Sequence, residues 1–264
     1  MSLALAHSKY GTSGPPLIVL HGLFGSQRNW NSVSKGLSAS HVVYSVDLRN
    51  HGQSPWAPTM TYQDHADDLR KFIEDHALSP VTMLGHSMGG KCAMWLALHH
   101  PQLLQALIIA DIAPVSYAHE HRSYVQAMRE VDVSAITRRS DADTMLVHRI
   151  EDPRARRFLL QNLIFEDGRY RWRINLAAIE QSMELISGFP QAPVTTDFHG
   201  PTLFLKAGRS DYIKREHQDP IRRLFPRAQF KCITEAGHWL HADQPEQFID
   251  AVETFVTGME AKLV

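Results

Sequence analysis

The sequence predicts an α/β fold: a mostly parallel, twisted sheet flanked by helices, with a helical segment inserted in it. Two observations support the sheet: short apolar runs alternate with amphipathic stretches, and the runs are mostly apolar along their whole length. Such runs are typical of parallel strands covered on both faces, and the alternation is typical of doubly wound folds. A third observation, a break in the alternation at about residues 115–199, predicts the insertion.

Six apolar runs are predicted strands and five stretches outside the insertion are predicted helices. The strands are 17–20, 42–46, 81–84, 107–110, 202–206 and 229–233. The helices are 30–37, 61–76, 91–100, 214–225 and 245–256. The last two helices have proline or charged residues near their starts, which are typical start signals.

The inserted region is predicted to be helical throughout, with helices over 117–131, 141–150, 153–165 and 174–186 and no buried strand between them. A helical block between two strands of one sheet is interpreted as a lid. The alternative is a structural extension of the helices that flank the sheet. The prediction is therefore a core domain of residues 1–114 and 200–264 and a helical cap of residues 115–199.

Composition excludes several classes of function. The 264 residues are 44% hydrophobic and 21% charged, with a formal net charge of −1, which suits a large globular domain that does not bind nucleic acid or a membrane surface. No apolar run is long enough for a signal peptide or a membrane span. We expect a soluble, cytoplasmic protein, either a monomer or a small homo-oligomer. Cys92 and Cys232 lack metal-binding spacing and are predicted to be small core residues.

The motif Gly-His-Ser-Met-Gly at residues 85–89 lies between a predicted strand and a predicted helix. In that context Gly-x-Ser-x-Gly forms a nucleophile elbow, a sharp turn that exposes its serine above the sheet. Glycine at both flanking positions removes side chains that would collide in the turn. Ser87 is therefore the predicted nucleophile.

A serine hydroxyl needs a base, and His238 is the predicted one. It lies in Ala-Gly-His-Trp at 236–239, in the loop after the last predicted strand, where the fold would deliver a base to the edge of the site. The chain has 16 histidines, so most must be structural. Structural roles are assigned to the others considered, which are His21, His86, His99, His100 and His241.

The acid that orients the base has two candidates, Asp111 and Asp211. Asp111 directly follows the predicted strand 107–110, and Asp211 ends the Gly-x-x-Asp turn after the predicted strand 202–206. Each could therefore reach His238 from the same edge of the sheet. Each could also be a turn residue that bonds its own backbone. Spacing favours Asp211, and the choice between the two stays open on the residues alone.

An oxyanion hole is also required. One donor is predicted to be the backbone N–H of Met88, the residue after the nucleophile. The other is predicted to be the N–H of Leu23, in the His-Gly-Leu-Phe-Gly loop at 21–25 that follows the first predicted strand.

Several motifs together resemble the α/β-hydrolase fold family, and in particular its YbfF-like esterase branch. They are His-Gly at 21–22, Leu-Phe-Gly-Ser at 23–26, Asn-Trp at 29–30, Asp-Leu-Arg-Asn-His-Gly-Gln-Ser at 47–54, Gly-His-Ser-Met-Gly-Gly at 85–90, Asp-Ile-Ala-Pro at 111–114 and Ala-Gly-His-Trp at 236–239. The resemblance runs nearly end to end and is weakest across the predicted lid. It implies hydrolysis of carboxylic esters or thioesters without a cofactor. It also favours Asp111 as the acid, because some members of the branch lack an acid at the position of Asp211.

The sequence thus predicts a serine hydrolase that cleaves small-molecule acyl esters or thioesters through an acyl-enzyme on Ser87. The alternatives are a C–C bond hydrolase, lyase or cofactor-free haloperoxidase with the same triad, or a ligand-binding receptor that does not turn over. Apolar residues of the insertion are candidates for an acyl pocket or for ordinary lid core: Leu159, Leu163, Phe165, Ile186 and Phe189. Arginines of the insertion are candidates for attracting a phosphate-bearing leaving group such as coenzyme A, or for a solvated helix face: Arg138, Arg154 and Arg156.

Overall fold

A seven-stranded sheet lies at the centre of the part of the chain that the structure describes. This computed structural model describes residues 2–117, 121–191 and 196–260. The strands are β1 (His7–Tyr10), β2 (Pro16–Leu20), β3 (Val42–Val46), β4 (Val81–His86), β5 (Leu104–Ala110), β6 (Leu163–Glu166), β7 (Arg169–Trp172), β8 (Thr202–Ala207) and β9 (Ala228–Ile233). Neighbours in the sheet follow the order β1–β3–β2–β4–β5–β8–β9, and β6 pairs with β7 in a separate hairpin.

The pairs formed by β2, β3, β4, β5, β8 and β9 are parallel, and β1 pairs antiparallel with β3 at one edge. All six predicted strands are present, which confirms the predicted mostly parallel sheet. β1 was not predicted because its four residues are exposed or half-buried, so the strand carries no apolar run.

Helices cover both faces of this sheet, and further helices lie in the inserted segment. They are α1 (Asn31–Leu37), α2 (Tyr62–Asp75), α3 (Met88–His99), α4 (His121–Glu130), α5 (Arg139–Leu146), α6 (Pro153–Leu160), α7 (Leu176–Gln181), α8 (Met183–Ser187), α9 (Gln218–Leu224), α10 (Leu240–Asp243) and α11 (Pro245–Glu260). Successive residues of β2 enter two different cores: Ile18 packs with α2 and α3, and Leu17 packs with α1 and α11. Both side chains are fully buried, as expected for a strand covered on each face.

The inserted segment, residues 115–199, contains α4 to α8 and the β6–β7 hairpin in its described part. The prediction of an entirely helical insertion is wrong at 153–165, because α6 ends at Leu160 and β6 begins at Leu163. Two residues with positive φ, Asp167 and Gly168, join the strands. Asp-Gly is a strong signal for a tight hairpin turn, since such turns require positive φ at both central positions. The predicted helix 174–186 is divided into α7 and α8.

The two cysteines differ in environment. Cys92 is buried in α3, as predicted, whereas Cys232 in β9 is exposed and is not a core residue. β9 is the last strand of the sheet, so its residues are less fully covered than those of the central strands. Among the described helices, none is both long and apolar enough to cross a membrane.

Candidate active site

Ser87 lies in a sharp turn between β4 and α3. Its backbone is in an unusual left-handed conformation, with φ 52° and ψ −122°. A Cβ at Gly85 would lie 2.3 Å from the Gly89 carbonyl oxygen, and one at Gly89 would lie 2.5 Å from the His21 carbonyl oxygen. Neither position can carry a side chain without moving backbone, so both glycines are sterically required for the elbow.

His238 and Asp111 form a direct hydrogen bond. The loop after β9 carries His238, whose Nδ1 donates to Asp111 Oδ2 at 2.9 Å. Asp111 follows β5, is fully buried and has φ 50°. Its Oδ1 accepts from the Ala207 N–H at 3.0 Å. The pairing fixes the neutral His238 as the tautomer with Nε2 free to accept a proton.

Asp211 lies outside this pair. It is exposed to solvent, while its neighbour Ser210 turns inward and donates from Oγ to Asp111 Oδ2 at 2.5 Å. The structure therefore brings His238 together with Asp111 and not with Asp211. Sequence reasoning missed Ser210, although its position directly before Asp211 placed it in the right loop.

Two aromatic neighbours hold His238 in place. Tyr212 stacks on the imidazole with ring centroids 4.0 Å apart. His86 donates from Nε2 to the His238 carbonyl oxygen at 2.7 Å. Burial lowers the pKa of His86 well below the usual value for histidine, which keeps it neutral. His86 is thus structural, as predicted, but it bonds across the site rather than within its own turn.

Ser87 and His238 line the same cavity, of about 60 Å³, which we call the histidine-side cavity. Among the described residues, the Ser87 hydroxyl and His238 do not form a hydrogen bond with one another. In enzymes without bound substrate such contacts are often long and tighten when substrate binds. Ser87 and Leu23 also line a second cavity of about 40 Å³, bounded by Met88, Lys91 and Ile186, which we call the lysine-side cavity.

The predicted oxyanion donors lie next to Ser87. Met88 is the first residue of α3, so its N–H has no acceptor within the helix. Leu23 lies in a turn closed by the Gly25 N–H donating to the Gly22 carbonyl at 3.0 Å. Neither the Leu23 nor the Met88 N–H is used in a hydrogen bond within the part of the chain that the structure describes.

Buried histidines fasten the loop that carries Leu23 to the segment after β3. The Leu48 N–H donates to His21 Nε2 at 3.0 Å, and the Phe24 N–H donates to His51 Nε2 at 3.2 Å. Burial lowers the pKa of His51 to about 3, so Nε2 stays unprotonated and able to accept. His21 is structural, as predicted.

Lys91 is a second residue that the sequence reasoning missed. It is 2% exposed, and its ammonium donates to the carbonyl oxygens of Val115 at 2.8 Å, Ser187 at 2.8 Å and Gly188 at 2.7 Å. Burial lowers its pKa to about 7. The signal was a lysine in an otherwise apolar helix, one turn after the nucleophile. Lys91 joins both ends of the inserted segment to α3.

The apolar candidates of the insertion have different environments. Leu159 lines the histidine-side cavity and Ile186 lines the lysine-side cavity. Leu163 is buried in the core, Phe189 is half-buried against it, and Phe165 is 64% exposed. Only the first two of these five therefore face a cavity that contains Ser87.

The arginine candidates are already paired. Arg138 forms an ion pair with Asp141, and Arg156 is buried against Asp143 and two backbone carbonyls. Arg154 pairs with Asp243 and lies over the Trp239 ring, near the mouth of the histidine-side cavity. Of the three, Arg154 is the one that lines a pocket sharing Phe158 and Trp239 with the histidine-side cavity.

Comparison with known proteins identifies the family of this chain. A family model described as the alpha/beta hydrolase fold matches residues 15–245. The chain belongs to the α/β-hydrolase fold family. The resemblance inferred from the motifs is thereby confirmed.

Several relatives of this chain are named as esterases or lipases. The sn-1-specific diacylglycerol lipase ABHD11 of Mus musculus is 40% identical over 92% of this chain and 81% of its own length. Esterase YbfF of Escherichia coli strain K12 is 32% identical over 91% of this chain and 92% of its own length. A solved structure of a marine microorganism esterase superposes with a TM-score of 0.93 at 42% identity, covering 96% of this chain and all of that one.

Proposed function

We propose that the protein hydrolyses carboxylic esters of small molecules, with Ser87 as nucleophile, His238 as base and Asp111 as acid. One observation carries the proposal: a serine on a strained elbow shares a cavity with a histidine whose Nδ1 is bonded to a buried carboxylate at 2.9 Å. The esterase and lipase names of relatives at 32–40% identity support this reaction class.

In the first half of the reaction, Ser87 Oγ attacks the acyl carbon while His238 Nε2 takes its proton. The oxygen of the tetrahedral intermediate then receives hydrogen bonds from the Leu23 and Met88 N–H groups, each worth about 3 kcal/mol. Asp111 stabilises the imidazolium without becoming protonated itself. Collapse of the intermediate breaks the ester C–O bond, and His238 returns the proton to the leaving alcohol.

In the second half, His238 takes a proton from water, and the hydroxide attacks the acyl-enzyme. Collapse of this second intermediate breaks the bond to Ser87 Oγ and releases the carboxylic acid, and the proton returns from His238 to Ser87. The same oxyanion donors serve both intermediates, because the acyl oxygen occupies the same position.

Asp111 is assigned as the acid because it is buried and already bonded to His238. A carboxylate can accept about four hydrogen bonds. Asp111 can therefore hold the imidazole N–H of His238 while it also accepts from Ser210 and from the Ala207 N–H. Asp211 is exposed, so its charge would be screened by solvent.

The two cavities divide the substrate between them. His238 must protonate the leaving group, so the alcohol leaves through the histidine-side cavity, which His238 lines. The acyl group then occupies the lysine-side cavity, between Met88 and Ile186. With the inserted segment acting as a cap in this position, we expect short acyl groups to react faster than long ones.

A chain-length series tests the proposal. p-Nitrophenyl esters from acetyl to dodecanoyl, matched acyl-CoA thioesters and a β-diketone would be assayed side by side. The short esters should be hydrolysed fastest, and Ser87→Ala should lower their kcat by about 10⁶-fold. Hydrolysis at the wild-type rate by Ser87→Ala would rule out the mechanism, and turnover of the diketone alone would favour a C–C bond hydrolase.

A further inference from the structure

The peptide groups on either side of Phe24 are held at several points. Phe24 has φ 62°, a left-handed conformation that costs a non-glycine residue free energy and needs support from its surroundings. Its N–H donates to His51 Nε2 at 3.2 Å, and its carbonyl oxygen accepts from Asn162 Nδ2 at 2.8 Å. The core thus supplies one contact and the inserted segment supplies the other.

Asn162 is itself rigidly placed. It is 4% exposed and lies between α6 and β6, where Nδ2 also approaches the Leu159 carbonyl oxygen at 3.2 Å. The backbone carbonyl oxygen of Asn162 accepts a hydrogen bond from the backbone N–H of Arg173, just after β7, at 2.8 Å. The backbone of Asn162 is therefore held by the residue after β7, and its side-chain amide is held by the Leu159 carbonyl of α6.

Two planar peptide groups connect this contact to the oxyanion hole. The Phe24 carbonyl shares a peptide plane with the Gly25 N–H, which donates to the Gly22 carbonyl at 3.0 Å. The Gly22 carbonyl in turn shares the plane of the Gly22–Leu23 peptide with the Leu23 N–H. In a trans peptide the N–H points opposite to the C=O. The bonds that the Gly22 carbonyl accepts, from the Gly25 N–H and from His21 Nδ1 at 2.8 Å, therefore fix the direction of the Leu23 N–H together.

We propose that Asn162 is a positioning residue for the oxyanion hole: its amide orients the Phe24–Gly25 peptide, which in turn aims the Leu23 N–H at the acyl oxygen. The proposal rests on the proposed function, since it needs an oxyanion beside Ser87. It assigns a role in the chemistry to the inserted segment, which contributes none of the reacting groups.

The matched control is Asn175, a second asparagine of the inserted segment that reaches the core. Asn175 Nδ2 donates to Asn50 Oδ1 at 3.1 Å, and its backbone N–H donates to the Asn50 carbonyl at 3.0 Å. Asn175 therefore also docks the segment on the core, but at a loop that carries no oxyanion donor, and its Oδ1 in addition accepts from the Ala178 N–H at the start of α7. A loss of docking alone should affect Asn162 and Asn175 variants alike.

The test compares Asn162→Ala, the near-isosteric Asn162→Leu, which removes the donor without adding a charge, and Asn175→Ala in p-nitrophenyl acetate hydrolysis, with thermal melts of each. Removing an oxyanion donor outright costs about 10²–10³ in kcat, so misdirecting one should lower kcat about 10- to 100-fold. We expect that loss in both Asn162 variants, with KM within about threefold of wild type and an unchanged pH profile. Asn175→Ala should keep the wild-type kcat.

The proposal is overturned if Asn162→Leu keeps kcat within threefold of wild type, or if only KM changes. Equal losses in Asn162→Leu and Asn175→Ala would also overturn it, because docking alone would then explain them. The near-isosteric variant keeps the test decisive if Asn162→Ala fails to fold. A wild-type protein that neither hydrolyses esters nor reacts at Ser87 would instead refute the proposed function.

Discussion

The sheet core and the inserted segment contribute different things to the site. The core carries Ser87, His238 and Asp111 on the loops after three strands, and buried bonds within the core fix them. Hydrogen bonds to backbone carbonyls join the two regions. Lys91 of the core donates to a carbonyl of the inserted segment, and Asn162 of the segment donates to a carbonyl of the core. Under the proposed function, the core would supply the reacting groups and the segment would enclose and align them.

Two ion pairs, one in each region, differ in exposure. In the core, Arg49 and Asp68 form a bidentate ion pair with side chains 2% and 1% exposed. In the inserted segment, Arg171 and Glu166 pair across the hairpin with both side chains well exposed. An exposed pair is worth about 0–1 kcal/mol, whereas breaking a buried one leaves an uncompensated charge. The Arg49–Asp68 pair should therefore matter more to stability than the Arg171–Glu166 pair.

The largest expected effect separates the two aspartates. Asp111→Asn should lower kcat by about 10⁴-fold, because an amide cannot hold His238 in the tautomer that accepts a proton. Asp211→Asn should leave kcat within about threefold of wild type, since Asp211 is exposed and outside the pair. Steady-state hydrolysis of one short ester by both variants decides this. The opposite ranking would move the acid to Asp211.

The next effect concerns stability and contrasts the two ion pairs. Arg49→Met should lower the free energy of unfolding by about 3–5 kcal/mol, because Asp68 would keep a buried charge without its partner. Arg171→Met should lower it by less than about 1 kcal/mol. Urea unfolding at pH 7 measures both. Similar losses in the two variants would contradict the distinction between core and segment.

Lys91, at the junction of the two regions, gives a pH-dependent prediction. Burial lowers its pKa to about 7 in the folded protein, against 10.5 for an ordinary lysine, so the unfolded chain binds more protons between these values. Stability should therefore rise with pH across that window, relative to Lys91→Met, by up to about 1.4 kcal/mol per pH unit. Below pH 7 the difference should level off. Urea unfolding of both proteins from pH 6 to 9 tests this, and a constant difference would refute it.

The smallest effect is expected at Ser210. Ser210→Ala removes one of the hydrogen bonds to Asp111 Oδ2, which should cost about 1 kcal/mol, or about fivefold in kcat. KM should stay close to the wild-type value because Ser210 contacts the carboxylate and not the substrate. A change in KM alone would show that Ser210 acts on the cavity instead.

The sequence predicted the core better than the segment. Fully covered strands appear as apolar runs, so 17–20 and 81–84 were located to within about two residues of β2 and β4. The elbow was found because its glycines are sterically required. The β6–β7 hairpin was missed because a helical interpretation was extended across the Asp-Gly turn at 167–168, although that pair signals a hairpin.

The partners of the site residues were harder to predict. Asn162 and Lys91 bind backbone carbonyls of distant loops, and carbonyls are present at every position of a sequence. The choice between Asp111 and Asp211 depended on which strand-end loop turns inward, which is a tertiary property. Local pattern could thus propose the candidates, while only the assembled sheet pairs one of them with His238.

Covalent labelling tests most directly that the core supplies the reacting groups. A fluorophosphonate probe should modify wild-type protein once, with the adduct located by peptide mass spectrometry on the peptide that contains Ser87. Ser87→Ala should give no adduct, and Asp111→Asn should react far more slowly than Asp211→Asn. An adduct on another residue, or equal labelling of Ser87→Ala, would contradict the account.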